Sequence, residues 1–261
     1  MKIQKRRYEL TDDEWERICS LFPVRGAGTK GRPYNDIRTT VNGIIWLARS
    51  GAPWRDLPER YGKWNTVYKC FAKWQKYGIF EKIFHELRIE ADLQDISIDS
   101  TSCKAHQHSA GAKKRGADSD VNEHIGISRG GKNTKIHASV DALGYPLHVM
   151  PSGGNVHDST IATELLEYTP VNKSIIMADK AYRGKNIRIK IEDIGCTHCI
   201  PSQSNDKVHR EIDWWQYKER SNVECFFQRL KQYRRIATRY EKLAVRFLAF
   251  VHLGCALIWL K

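Results

Sequence analysis

This chain of 261 residues predicts an α/β fold preceded by a small all-α region. Three observations carry that expectation. The first 88 residues hold only helix-like patterns, short apolar or β-branched runs alternate with helical patterns from residue 89 onward, and two of those runs end on aspartate. The expected division is therefore residues 1–88, all-α, and residues 89–261, α/β.

Within the first region, Thr11 reads as a helix N-cap with Glu14 at capping-box spacing, which starts a helix over residues 12–21. A second helix is expected over residues 35–49, a short turn near Pro58, and a third helix over residues 65–77. In that third helix Val67, Phe71 and Trp74 recur at three- and four-residue spacing and turn toward a core, which leaves Lys69, Lys73 and Lys76 able to face a phosphate backbone. With the Gly62-Lys63-Trp64 turn ahead of it, the basic helix suggests a helix-turn-helix-like module that binds DNA. Lys30-Gly31-Arg32-Pro33 reads as a plain basic loop.

From residue 89 the patterns give strands over 96–103, 134–141 and 147–151, a helix over 159–168, a strand over 174–179, a helix over 185–194, a strand over 196–201, and long C-terminal helices. Asp141-Ala-Leu-Gly144 reads as the turn between the second and third strands, and Asp158 as a helix N-cap. Residues 106–133 read as a loop rich in Gly, Lys, Arg, Ser and His, carrying Lys113-Lys-Arg115 and Arg129-Gly-Gly-Lys132 and expected to order on DNA. The apolar run 243–260 contains Arg246 and His252 and falls short of the roughly twenty apolar residues of a membrane span, so it reads as a buried helix.

The chain carries 43 Lys plus Arg against 30 Asp plus Glu, a formal charge of +13, which points to a polyanionic partner, DNA or RNA. At 41% hydrophobic it has the material for a sizeable core, which excludes a disordered basic tail. Seven cysteines, an odd number, lie in apolar segments with no leader pattern ahead of them, so a reducing cytoplasm is expected. Cys196-Thr-His198-Cys199 lacks a second cysteine pair and reads as two strand cysteines, not as a zinc site.

The most informative stretch is Tyr217 to Lys231. At about 100° per residue, Tyr217, Arg220, Glu224 and Lys231 share one helical face, while Val223, Phe226, Phe227 and Leu230 form an adjacent apolar stripe that anchors it. Glu224 is the single acid on that face. Together with Asp99 and Asp179, each closing a buried strand, it offers an all-oxygen anionic pocket that suits magnesium or manganese better than zinc.

The ordered set Asp99, Asp179 and Glu224, within Ile98-Asp99-Ser100-Thr101, Ala178-Asp179-Lys180-Ala181-Tyr182 and the Tyr217, Arg220, Glu224, Lys231 signature, closely resembles the DDE transposases of bacterial insertion sequences. The likeness is best to the insertion sequence five family. It extends through Leu10-Thr11-Asp12, residues 51–58, Thr134-Lys-Ile-His137 and residues 234–240, with Ala181 standing where the family more often has glycine. The resemblance implies an RNase H-like mixed five-stranded sheet flanked by helices, with the first and fourth strands side by side and a late helix crossing behind their ends. It also implies two magnesium or manganese ions, with Asp99 bridging and Asp179 and Glu224 each holding one.

The implied partners are double-stranded DNA, terminal inverted repeats and target DNA, met by a homodimer in the bacterial cytoplasm at the nucleoid and without a membrane. The implied reaction exposes 3′-hydroxyls and joins them to target DNA; a nuclease or resolvase without joining, or a catalytically idle DNA-binding regulator, remain as alternatives. Lys231 lies about 10.5 Å along the helix from Glu224, too far for the metal shell, and is expected on a phosphate. Tyr217, Arg220, Arg234, Arg235 and Arg239, with Arg229 extending the basic surface and Lys69 and Lys73 in the N-terminal region, complete the expected DNA contacts. His106 and His108 are expected in loop or phosphate contacts.

Overall fold

The structure is a computed structural model and describes residues 6–23, 36–110, 123–204, 206, 209 and 211–261. Lys30 to Pro33 and Lys113 to Arg115 lie outside the described residues. The first helix, α1 (Asp12–Cys19), begins with the expected capping box: Thr11 Oγ1 accepts from the Glu14 amide at 3.2 Å, and the Glu14 carboxylate accepts from the Thr11 amide at 2.8 Å. Helix α2 (Ile37–Ser50) starts on Asp36, which accepts from the Thr39 amide at 2.9 Å. It stops at Gly51, whose φ of +72° is a left-handed conformation that glycine adopts without a side-chain penalty.

Helix α3 (Trp64–Lys76) is joined to α2 by residues 51–63, which carry two 3₁₀ turns. A tight glycine turn, with Gly78 at φ +66°, leads instead from α3 into α4 (Ile79–Leu87), a helix not foreseen from the sequence. Its signal was present: Phe80, Ile83, Phe84 and Leu87 follow helical spacing, and all four are buried. Lys69, Lys73 and Lys76 lie on the exposed face of α3, as their spacing predicts.

All five expected strands form: β1 (Asp95–Ala105), β3 (Gly131–Val140), β4 (Pro146–Gly153), β5 (Ile175–Met177) and β6 (Thr197–Cys199). Two short strands are added, β2 (Gly126–Ser128) and β7 (Thr238–Arg239). The sheet runs β2-β3-β1-β5-β6, with β4 also paired to β3 and β7 also paired to β1. β1 is antiparallel to β3 and parallel to β5, so the first and fourth of the expected strands do lie side by side. The segment expected to be a continuous loop over 106–133 is in part ordered structure: Gln107–Ala110 is a 3₁₀ turn, and Arg129 to Lys132 make the β2–β3 hairpin and the start of β3.

The sheet has helices on both faces. On one side Ile96, Ile98, Leu147 and Ile176 pack with α5 (Asp158–Tyr168) and α6 (Lys185–Asp193). On the other, Cys103, Ile136, Ala138 and Val140 pack with α8 (Ser221–Lys231) and α10 (Ala244–Trp259), which follow the short helices α7 (Trp214–Tyr217) and α9 (Arg234–Ala237). The second core does not stop at residue 88. Val41, Ile44, Leu47, Phe71 and Phe84 of the N-terminal helices belong to the same cluster as Phe226, Leu230, Phe247 and Phe250. Helix α10 is the centre of that joint core, buried over nearly its whole length.

Candidate active site

The last parallel pair between β1 and β5 is Ser97 with Met177. Asp99 and Asp179 each stand two residues beyond that pair: Asp179 lies just past the end of β5, as expected, whereas Asp99 does not close its strand, because β1 runs on to Ala105. The next partner on this edge of β1 is β7, which joins at Lys104 and Ala105. Between the two partners β1 presents Ile98 to Cys103 to a notch, and the site lies there.

Strand alternation turns Asp99 to the same face as Cys103, toward α8. The approach to α8 is not one continuous helix, as the sequence suggests: α7 is followed by a 3₁₀ turn over Lys218–Arg220 before α8 begins at Ser221. Three contacts fix this segment against the sheet. The Gln216 amide nitrogen donates to Asp95 Oδ1 at 3.1 Å, Ser97 Oγ to the Glu219 carbonyl at 3.5 Å, and Asn222 Nδ2 to the Ala142 carbonyl at 2.8 Å.

Arg220 is the pivot of the site. Its Nη1 stands 3.2 Å from Asp99 Oδ2 while its Nη2 bonds Glu224 Oε1, one helical turn on. Asp99 accepts from the Ser100 amide at 2.7 Å with its other oxygen. Burial raises the Asp99 carboxyl to about 6, against the lowering effect of the Ser100 amide and of Arg220, while the charge of Asp179 pushes the same way as burial. Asp179 uses one oxygen to cap the turn that follows it, accepting from the Ala181 amide at 2.8 Å.

Asp99 and Glu224 therefore share one cation, and Asp179 acts electrostatically on Asp99. As oriented here, no three His, Cys, Asp or Glu side chains among the described residues form a metal-binding group. The donor set is nonetheless the right kind for a hard divalent cation: carboxylate oxygens only, with Asp99 and Asp179 half-buried and Glu224 exposed, and the Arg220 guanidinium standing in as the positive charge between Asp99 and Glu224.

The other expected contacts divide. Tyr217 is half-buried, packed edge-on to Trp214 at 5.7 Å and 5.9 Å from the Arg220 guanidinium. Lys231 Nζ bonds the Ser102 carbonyl at 3.0 Å on the open edge of β1. Arg234 is exposed. Arg235 and Arg239 are not DNA contacts in this structure, because both are buried and fully engaged. Arg235 pairs with Glu241 at 2.7 Å and donates to the Ala52 carbonyl at 2.6 Å. Arg239 donates to the Glu241 carbonyl, the Glu123 carbonyl and Thr134 Oγ1 at 2.7–3.0 Å. Arg229 likewise bonds the Gly144 carbonyl and lies over the Tyr145 ring. Their regular spacing resembles a basic surface, but the chain turns through α9 and β7 and carries two of them inside.

Two residues near the site take roles that sequence reasoning missed. Asp158 is the first residue of α5 and not its cap, which is His157. Its carboxylate pairs with Lys135 Nζ at 2.8 Å and faces the buried His137 ring at 4.0 Å. The signal lay in the alternation of β3, which puts Lys135 and His137 on one face, opposite Ser102 and Ser100. Tyr182, third after Asp179, is buried. His106 packs against His108 and Tyr240. Asp141 is the turn acid its sequence suggests, accepting from the Leu143 and Tyr145 amides at 3.0 and 2.7 Å.

Residues 90–259 match the family model described as "Transposase DDE domain", and residues 10–84 match the one described as "Putative transposase of IS4/5 family". A Brucella ovis protein named "Putative transposase for insertion sequence element IS6501" is 43% identical over 129 residues, 49% of this chain and 98% of its own length. The uncharacterized protein y4sN of Sinorhizobium fredii is 39% identical over 123 residues, 46% of this chain and 96% of its own. Of solved structures, the Mos1 transposase paired-end complex with left transposon end is similar over 91% of this chain and 82% of its own, at 9% identity and a TM-score of 0.28.

Proposed function

Because this chain belongs to the DDE transposases of the IS4/5 type, we propose that it binds the terminal inverted repeats of its element, cuts the strand at each end and joins the resulting 3′-hydroxyls to target DNA. The observation that carries the reading is the convergence at the β1 edge: Asp99 and Asp179 at matching offsets on parallel strands, with Glu224 linked to Asp99 through Arg220. Asp99, Asp179 and Glu224 would hold two divalent ions, magnesium or manganese, which supply charge stabilisation and an ionised water or hydroxyl at neutral pH.

The protein's own groups do the rest. A carboxylate must be charged to serve, and Arg220 favours the charged form of Asp99 against the cost of its burial. Arg220, Tyr217 and Lys231 line the notch and would position the scissile strand through its phosphates, with Arg234 beyond them. Residues 1–88 would hold the repeat, with Lys69 and Lys73 on the exposed face of α3, and residues 89–261 would perform the chemistry. Two ends have to be joined in one event, so a homodimer on DNA is the proposed working form, acting at the bacterial nucleoid. No helix among the described residues is long and apolar enough to cross a membrane.

The test is a strand-transfer assay with repeat-ended donor DNA, a target plasmid and magnesium. Donor ends covalently attached to target DNA are expected. Nicked or cut donor with no joined product would reduce the protein to a nuclease.

A further inference from the structure

Helix α2 ends against the turn that joins α8 to α9, and Arg49 makes the joint. Its Nη1 donates to Gln232 Oε1 at 3.3 Å and its Nη2 to the Tyr233 hydroxyl at 2.9 Å, while the guanidinium lies over the Tyr233 ring, 3.8 Å from its centroid. Tyr233 is buried, so the stack fixes the plane of the guanidinium. Both partners are neutral, and the half-buried Arg49 keeps further N–H donors for an acceptor.

Arg49 lines a cleft of about 610 Å³ whose other walls are the segment ahead of α1, α1 itself and the end of α10. Arg7 and Arg17 line the same cleft. Its acids are engaged elsewhere, except the exposed Asp13: Glu9 meets Arg6 at 3.5 Å and the Tyr61 hydroxyl at 3.0 Å, and Glu14 closes the capping box on Thr11. Among the described residues Arg7, Arg17 and Arg49 form no ion pair with a carboxylate. Cations from three separate segments, left without acids around one cleft, make a site for an anion.

The place of the cleft says which anion. Lys231, on the open edge of β1, directly precedes the two residues that hold Arg49. The exposed Arg234 stands against the end of α2, where a side chain on Gly51 would meet its Cβ at 3.1 Å. Lys231, Arg234 and Arg49 therefore form one basic run from the notch to the cleft, and a run of cations suits a polyanion better than a single small phosphate. We propose that the backbone of duplex DNA leaving the notch crosses the end of α8 and seats phosphates in this cleft, on Arg49 and Arg17. The inference rests on the reading of the notch as the place of the scissile strand. It makes α1 and α2, beside α3, part of the DNA-bearing surface.

The test is the binding of the full-length chain to repeat-ended duplex DNA and to an unrelated duplex of the same length, over a series of salt concentrations, with thermal melts beside it. Arg49→Gln, Arg17→Gln and Lys173→Gln remove one charge each, the last from an exposed residue ahead of β5, at the opposite end of that strand from Asp179. Each arginine variant should lower the slope of log affinity against log salt by about 1 and weaken binding about 5-fold near physiological salt, on both duplexes alike. Lys173→Gln should change neither. Unchanged slopes in both arginine variants would overturn the inference, as would an equal fall in Lys173→Gln, which would show an effect of net charge alone. Weaker binding by Arg49→Gln at an unchanged slope and a lower melting temperature would make that residue a brace between helices; the exposed Arg17 then decides, and an unchanged slope there overturns the cleft. Wild type that binds neither duplex would remove the transposase reading itself.

Discussion

At Asp99 function and stability pull against each other. The folded protein raises this carboxyl to about 6 from the ordinary aspartate range, so the unfolded chain releases its proton first as pH rises. Stability from this group is thus complete below about pH 4 and lost as pH climbs through about 6. Asp99→Asn should therefore stabilise the protein by about 1–3 kcal/mol at pH 7, a gain that shrinks to nothing near pH 4. Urea unfolding at the two pH values measures it, and equal stability of variant and wild type at pH 7 would contradict it. Arg235 and Arg239 make the opposite case. Each is buried against carboxylate or carbonyl oxygens, so Arg239→Ala or Arg235→Ala should cost about 3–5 kcal/mol by leaving buried acceptors and Glu241 unpaired. A variant that melted like wild type and lost only DNA affinity would restore them to the DNA-binding surface.

At the scale of elements, the sequence was most legible where one periodicity met one boundary signal. The Thr11 capping box, the five strands and the Asp141 turn all fall within a few residues of their expected places. What was not legible depended on the path of the chain in space. Helix α4 was masked by its closeness to α3, and the break before α8 comes from docking to β1 through Gln216 and Ser97. The short strands β2 and β7 exist only because longer neighbours offer an edge. A pH response belongs to the packing of elements too. His148 on β4 and His252 on α10 are held neutral, the first to about 4 and the second to about 3, chiefly by burial and further by the positive charge of Arg88 on His148 and by the neighbouring His85 ring. Glu81 and Glu86 face His85 and oppose that trend. The unfolded chain takes up these protons first as pH falls below about 6.5, so each ring should cost the fold about 2 kcal/mol by pH 5. Melting temperature should drop between pH 7 and pH 5, and His252→Leu should flatten the drop; an unchanged slope would show that these rings do not set it.

On the scale of the whole molecule, the division expected at residue 88 is visible in sequence as a change of pattern, yet the core ignores it. Phe71 stacks on Phe250 at 4.6 Å, and Leu47 and Phe84 share a cluster with Phe226 and Phe247. Residues 1–88 alone should therefore lack cooperative unfolding, as circular dichroism would show, whereas a sharp two-state melt of that fragment would prove it an independent domain. The joint core has a mechanical consequence, because α10 braces both the N-terminal helices and α8, and α8 carries Glu224. What the sequence conveyed of the site was its acids, their order and the place of Arg220 beside Glu224; what it withheld was that Arg220 bridges Asp99 and Glu224.

The central claim is that Asp99, Asp179 and Glu224 act as one unit at the β1 edge. Strand cleavage of repeat-ended DNA with magnesium, compared among wild type, Asp99→Asn, Asp179→Asn and Glu224→Gln, tests it most directly. Each substitution should lower the cleavage rate by at least about 100-fold while leaving the protein folded, and cleavage at the wild-type rate in any one of them would contradict the account.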